Sequence, residues 1–174
     1  MIPIGGKRNL RLRNESILKS INTRVNVAAG AAETIVAQYQ FPAGFLKQYD
    51  RIRIYATFSK SGTTDTGVIT FRVGTAGTAA DTSVFTGNAL NAASRVLGAI
   101  HDFKLASATT LQHCGTGGVG PMNGSYIGVN GTAYPAAVTI SDISNSLYLT
   151  VTVTPGATDD IALEDMLFAF LPTP

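Results

Sequence analysis

Few side chains in this chain stand at spacings that chemistry requires. The run Gly115-Thr116-Gly117-Gly118-Val119-Gly120 has the letters of the dinucleotide fingerprint G-x-G-x-x-G. That motif works by opening a helix whose N-terminus receives a pyrophosphate. Here Pro121, Asn123 and Gly124 follow between β-like flanks, so a flexible β–β connection is expected and no cofactor. His113 and Cys114 are adjacent, but neighbouring strand residues point to opposite faces and seldom clasp one metal. His101 belongs to another predicted strand, and no CxxC or HxxH spacing supports zinc, so no metal site is expected. Asp65, with Asp159 and Asp160, could offer oxygen ligands to calcium if their turns converge. The spacing matches no calcium loop, and Asp in turns ordinarily serves local hydrogen bonds. Glu164 with Asp165 or Asp102 could be imagined as a glycosidase pair, yet the chain has no Trp to make a sugar platform. No Ser stands in a nucleophile elbow. No catalytic residue is assigned, and the expectation is a protein that is not an enzyme.

The charge is placed more tellingly than any of these motifs. Of 13 Lys and Arg residues, Lys7, Arg8, Arg11, Arg13, Lys19 and Arg24 fall in the first 24 positions, opposed only by Glu15. The remainder carries more acid than base. Leu10, Leu12, Ile17, Leu18 and Ile21 are spaced among these charges, which argues against a merely solvated tail. Residues 1–30 read as an N-terminal arm without strand alternation, with one or two helical turns over Asn14–Ile21 capped by Asn14. Lys7, Arg8, Leu10, Arg11, Leu12 and Arg13 are its candidate partner-binding residues. Clustered cations also suit phosphates, but no Tyr or Phe is interleaved for base stacking, which counts against nucleic acid.

Residues 31–174 read as one β-domain. A chain of 174 residues and 18.2 kDa can bury close to 70% of its surface without staples, and the single Cys114 allows no internal disulfide. No stretch reaches the length of apolar residues that a membrane span needs, and the basic N-terminus lacks the apolar run of a secretory signal. Only 14% of residues are charged, below the roughly 25% of ordinary soluble domains. So neutral a surface tends to associate, and a homo-oligomer is expected.

Period-2 alternation begins at Thr34. Thr34–Phe41 is a first strand. In Arg51–Phe58, residues Ile52, Ile54, Ala56 and Phe58 share one face while Arg51, Arg53, Tyr55 and Thr57 share the other. Val68–Val73 is expected to form a hairpin with it across the polar tip Ser59–Gly67. Gly74–Ala93 reads as a loop. Arg95–Ala106 alternates Leu97, Ala99, His101 and Phe103 against Val96, Ile100 and Leu105. Thr109–Cys114, Tyr126–Val129, Ala136–Ile143, Leu147–Val153 and Ile161–Phe170 complete the set. Eight or so short strands with turn signals between them predict an all-β fold, an antiparallel β-sandwich of jelly-roll type. Tyr39, Tyr49, Tyr55, Tyr126, Tyr134 and Tyr148 are candidates for surface contacts, because Tyr offers area and a hydroxyl at low entropic cost.

The order Phe41-Pro42-Ala43-Gly44, then Asp50-Arg51-Ile52-Arg53-Ile54-Tyr55-Ala56, then Val68-Ile69-Thr70-Phe71-Arg72-Val73-Gly74, resembles a β-sandwich of bacteriophage virion proteins. The ending Ser146–Val153 followed by Asp160-Ile161-Ala162-Leu163 extends the resemblance over roughly residues 34–170. Such domains occur in head decoration, head fibre and tail fibre proteins. The resemblance implies a homotrimer in the virion that works without a cofactor. It also implies a mechanical role, as a capsid decoration (cement) protein or head projection held by its arm to a capsid or tail protein. The alternative is a tail-associated fibre or adhesion protein meeting the host surface through Ser59–Gly67 and Gly115–Gly124.

Overall fold

The computed structural model describes residues 16–90, 96–113 and 137–172. These form eleven strands and no helix: β1 (Ser16–Ile21), β2 (Val25–Val27), β3 (Thr34–Phe41), β4 (Arg51–Lys60), β5 (Gly67–Gly74), β6 (Thr82–Leu90), β7 (Val96–Ser107), β8 (Thr110–His113), β9 (Val138–Thr139), β10 (Leu147–Thr154) and β11 (Ile161–Leu171). A seven-stranded sheet runs β1-β11-β4-β7-β8-β9, with β2 also paired to β11. A four-stranded sheet runs β3-β10-β5-β6. All pairings are antiparallel, and the two sheets pack face to face as the expected all-β sandwich. The pairing is nested in sequence. β1 and β2 lie beside β11, β3 beside β10, β4 beside β7, and β5 beside β6.

Alternation builds the core. Ile52, Ile54, Ala56 and Phe58 are all at most 4% exposed, and Leu147, Leu149, Val151 and Val153 at most 1%. Each fully buried side chain of this kind contributes about 1.5–3 kcal/mol. Along β11 the inward set begins as Ile161 and Leu163 and resumes as Met166 and Phe168. The cause is a bulge: Leu163 faces Phe58 and Asp165 faces Thr57, leaving Glu164 as the extra residue that shifts the phase.

Five expectations are corrected. Ser16–Ile21 is an edge strand paired with β11 and makes no helical turn, and β2 likewise places strand structure within residues 1–30. β4 and β5 are not a hairpin. They belong to opposite sheets, β4 between β11 and β7 and β5 between β10 and β6, because each apolar face must look across the sandwich at the other. Gly74–Ala93 is not wholly loop, since Thr82–Leu90 pairs with β5. Leu105 joins His101 and Phe103 in the interior, as its parity requires. The strand expected over Ala136–Ile143 shrinks, among described residues, to Val138–Thr139. Tyr126–Val129 lies outside the described residues.

Candidate functional site

The two ends of the sandwich are built from different chemistry. At one end lie Ser16, the first residue of β1, together with the connection 42–50 between β3 and β4 and the last residues of β11. An aromatic chain closes this end. Tyr39 meets Phe41 at 4.9 Å between ring centroids, Phe41 meets Phe45 at 6.1 Å, and Phe45 meets Phe170 at 5.0 Å. Phe45 is nevertheless 37% exposed, and Ile17, paired with Ala169, is 66% exposed.

The connection itself is pinned. Tyr49 N–H donates to Leu105 O at 2.7 Å, Leu105 N–H donates to Asp50 O at 2.9 Å, and Lys47 N–H donates to the buried Asp50 carboxylate at 2.8 Å. Gln48 Nε2 donates to Ala106 O. This bracing holds Tyr49 at φ 73°, the left-handed region that a bulky side chain seldom occupies. Its ring is half exposed, with Lys104 Nζ 5.0 Å from the centroid.

At the other end the turns 28–31, 61–66 and 155–160 converge. The Asp159 carboxylate accepts Thr64 N–H at 2.8 Å and Asp65 N–H at 2.9 Å, and the buried Lys60 ammonium stands 3.4 Å away. Asp65 accepts from the backbone and hydroxyl of Thr158, while Asp160 accepts from Ala29 N–H and Asn26 Nδ2. Backbone N–H donors hold Asp159 and Asp160 below the usual carboxylate range. Asp65, Asp159 and Asp160 do come together, as a calcium site would require. Their oxygens, however, face N–H, hydroxyl and ammonium donors, an arrangement that knots turns. Among the described residues no group of three or more His, Cys, Asp or Glu could hold a metal ion.

Between the ends, His101 Nδ1 and His113 Nε2 are 2.9 Å apart, one imidazole donating to the other. Phe103 packs on His113 from the same sheet, and Phe71 and Phe85 of the facing sheet pack on His101 at 4.7 and 4.5 Å. Burial pushes His101 down to about 3, helped by the neighbouring His113 and opposed by Asp102. Burial likewise lowers His113. This is a neutral pair within one sheet, packed against the aromatic rings of the other. Its register was readable in principle, because His113 faces Phe103 and so lies diagonally from His101 across the β7–β8 hairpin.

Of the proposed carboxylate pairs, Glu164 and Asp165 are neighbours at the β11 bulge, while Glu164 and Asp102 are far apart. Asp102 is engaged by Arg53 through Nε at 2.5 Å and a second nitrogen at 2.7 Å. Glu164, at the bulge, accepts from Ser59 and pairs with Arg24 at 3.4 Å. Glu164 lies in the β11 bulge opposite the Phe58–Thr57 step, whereas Asp102 faces Arg53, at least four residues back along β4, roughly 13 Å. That exceeds glycosidase spacing. Lys7, Arg8, Leu10, Arg11, Leu12 and Arg13 lie outside the described residues, as do Cys114, Gly115–Gly120, Tyr126 and Tyr134. Phe45 escaped sequence reasoning, whereas Ile17 was noticed among the apolar residues spaced through the basic arm. A Phe after Pro-Ala-Gly looks like an ordinary core residue until the fold leaves it outside.

No family model, no characterised protein and no solved structure compared with the chain matches it. Among the described residues no helix is long and apolar enough to cross a membrane.

Proposed function

We propose that the chain is a non-enzymatic structural protein of a bacteriophage virion: a homotrimeric capsid decoration (cement) protein or head projection whose basic arm fixes the β-body to the particle. The observation that carries this reading is the nested strand order. β1/β2 with β11, β3 with β10, β4 with β7 and β5 with β6 supports a jelly-roll reading, an architecture that occurs in viral capsid domains. It also puts the strand that receives the arm on the rim of a sheet. A cationic, Leu-bearing segment joined there has a short path to a neighbouring subunit. Lys7, Arg8, Arg11 and Arg13 would meet carboxylates, and Leu10 and Leu12 would fill apolar pockets. The work is mechanical: bridging adjacent subunits adds buried area and charge contacts that oppose internal pressure.

Because β1 is part of the sheet, the informative truncation removes residues 2–15 and spares Ser16–Ile21. The truncated protein is expected to keep the Tm and oligomeric mass of the full chain. It should also lose occupancy on particles that lack the protein, as measured by co-sedimentation. Full occupancy by the truncated form would refute anchoring by the arm. Saturable binding to host envelopes, with none to particles, would favour the tail-adhesion alternative.

A further inference from the structure

The arm does not leave the body from a neutral surface. We propose that the end it joins is itself a docking surface for an acidic, partly apolar protein face, with Phe45 and Tyr49 as anchors and Lys47, Arg51 and Lys104 as the surrounding charges. The proposal rests on the virion reading and adds a second point of contact to it.

Three observations converge. The first is exposure without looseness. Phe45 is 37% and Tyr49 51% exposed, yet the connection bearing them is tied to β7 by backbone and side-chain hydrogen bonds. Aromatic side chains already fixed in place lose little entropy on binding, which is why they dominate interface energetics. The second is strain. Among the described residues Tyr49 is the one non-glycine at positive φ. Such conformations cost stability and persist where the surrounding structure imposes them, characteristically at ligand clamps. A glycine there would remove the cost, and the chain carries a tyrosine instead.

The third observation is charge. Lys47 is exposed and Arg51 and Lys104 are half-buried at this end. Its carboxylates are mostly turned inward. Asp50 is 3% exposed and accepts Lys47 N–H. Asp81 is 8% exposed and accepts the N–H groups of Ala76, Gly77 and Thr78. Asp142 remains outside, accepting Ser144 N–H. The outward field is therefore cationic and continuous in sign with the arm, so both would be drawn to the same acidic partner. A nucleic acid would share that charge preference. Against it, Phe45 directly follows the exposed, uncharged Pro42-Ala43-Gly44, an apolar area that suits a protein face better than a phosphate backbone.

The test compares the full-length protein with Tyr49→Gly, Phe45→Ser and the double variant Lys47→Glu/Lys104→Glu, all with the arm intact, titrated onto particles lacking the protein. Each aromatic variant is expected to weaken occupancy at least about tenfold. The charge reversal should weaken it most at low salt. Tyr49→Gly is expected to raise Tm by about 2–4 °C while losing binding, an opposition that a merely structural tyrosine would not produce. Unchanged occupancy in the aromatic variants, while the truncation of residues 2–15 abolishes it, overturns the docking surface and leaves the arm reading intact. No binding by the unmodified protein overturns both. Loss of the homo-oligomer with particle binding preserved would make this end a self-interface. Tight binding of a single-stranded DNA oligonucleotide that Tyr49→Gly removes would make the partner nucleic acid. Either result also overturns the proposal.

Discussion

The two ends of this sandwich spend their functional groups in opposite ways. At the end formed by turns 28–31, 61–66 and 155–160, carboxylates reach across to neighbouring turns and are consumed there. At the arm-bearing end the backbone is just as well tied, but Phe45, Tyr49 and Ile17 are left projecting. Polar bonds at the first end complete the fold. Those at the second hold side chains that stay partly in water where they stand. Tyr49 even costs stability where it stands. An end finished against itself is a wall, and an end that stays rigid while leaving rings in water is prepared for a neighbour.

The harshest challenge to this contrast is to remove the buried cation of the finished end. Lys60 has a side chain only 1% exposed, donates to Asp65 O and faces Asp159. Lys60→Ala leaves a cavity and strips the turns of their ammonium, and Tm should fall by on the order of 10 °C. Phe45→Ser at the opposite end should move Tm far less. Comparable losses would mean that both ends are simply structural.

Acid provides the next largest effect, acting on the body between the ends. His101 and His113 are both held below the ordinary histidine value, so the unfolded chain binds protons that the folded chain refuses. Stability contributed by their neutral forms is complete above about pH 6.5 and is lost as pH falls toward about 3, where His101 titrates. The slope approaches about 1.4 kcal/mol per pH unit for His101, and His113 adds to it in the same direction. Carboxylates with lowered values, Asp159 and Asp160 among them, add their own loss only at lower pH. The chain has only two histidines, so the test has no background. Denaturant midpoints between pH 7 and 5 should fall for the native sequence and stay nearly flat for His101→Leu/His113→Leu. Parallel curves for the two proteins would remove the histidines from the explanation.

Much of the scaffold was legible because alternation survives wherever a strand has one dry face. Ile52 to Phe58 and Leu147 to Val153 declared their inner faces outright. Legibility failed where tertiary pairing overrides local pattern. β4 and β5 are consecutive strands with a turn between them, and nothing local says that they sit in opposite sheets. Glu164 breaks the phase of β11 by a bulge set by its partner strand, and β1 takes strand structure only because β11 offers it an edge. The knot of Asp65, Asp159 and Asp160 was half legible: the residue types were noticed, but whether they meet a cation or N–H donors depends on how three turns converge. Tyr49 was legible as one of six candidate contact tyrosines, but nothing in the sequence around it demands a left-handed backbone there.

Glycine gives the finest discrimination between the ends. A Cβ built on Gly62 would stand 2.1 Å from Asp159 Oδ1 and 3.0 Å from its Cγ, so Gly62→Ala must push aside the carboxylate that receives Thr64 and Asp65. A Cβ on Gly44 would meet nothing within 4 Å, and only its φ of +69° opposes a side chain. Gly44→Ala should therefore cost only about 1 kcal/mol, whereas Gly62→Ala should lower Tm further and raise hydrogen exchange at the amides of Thr64 and Asp65. If both substitutions cost the same and leave those two amides protected, the turns around Asp159 yield more easily than their hydrogen bonds imply. The finished end would then be no more closed than the end that bears the arm.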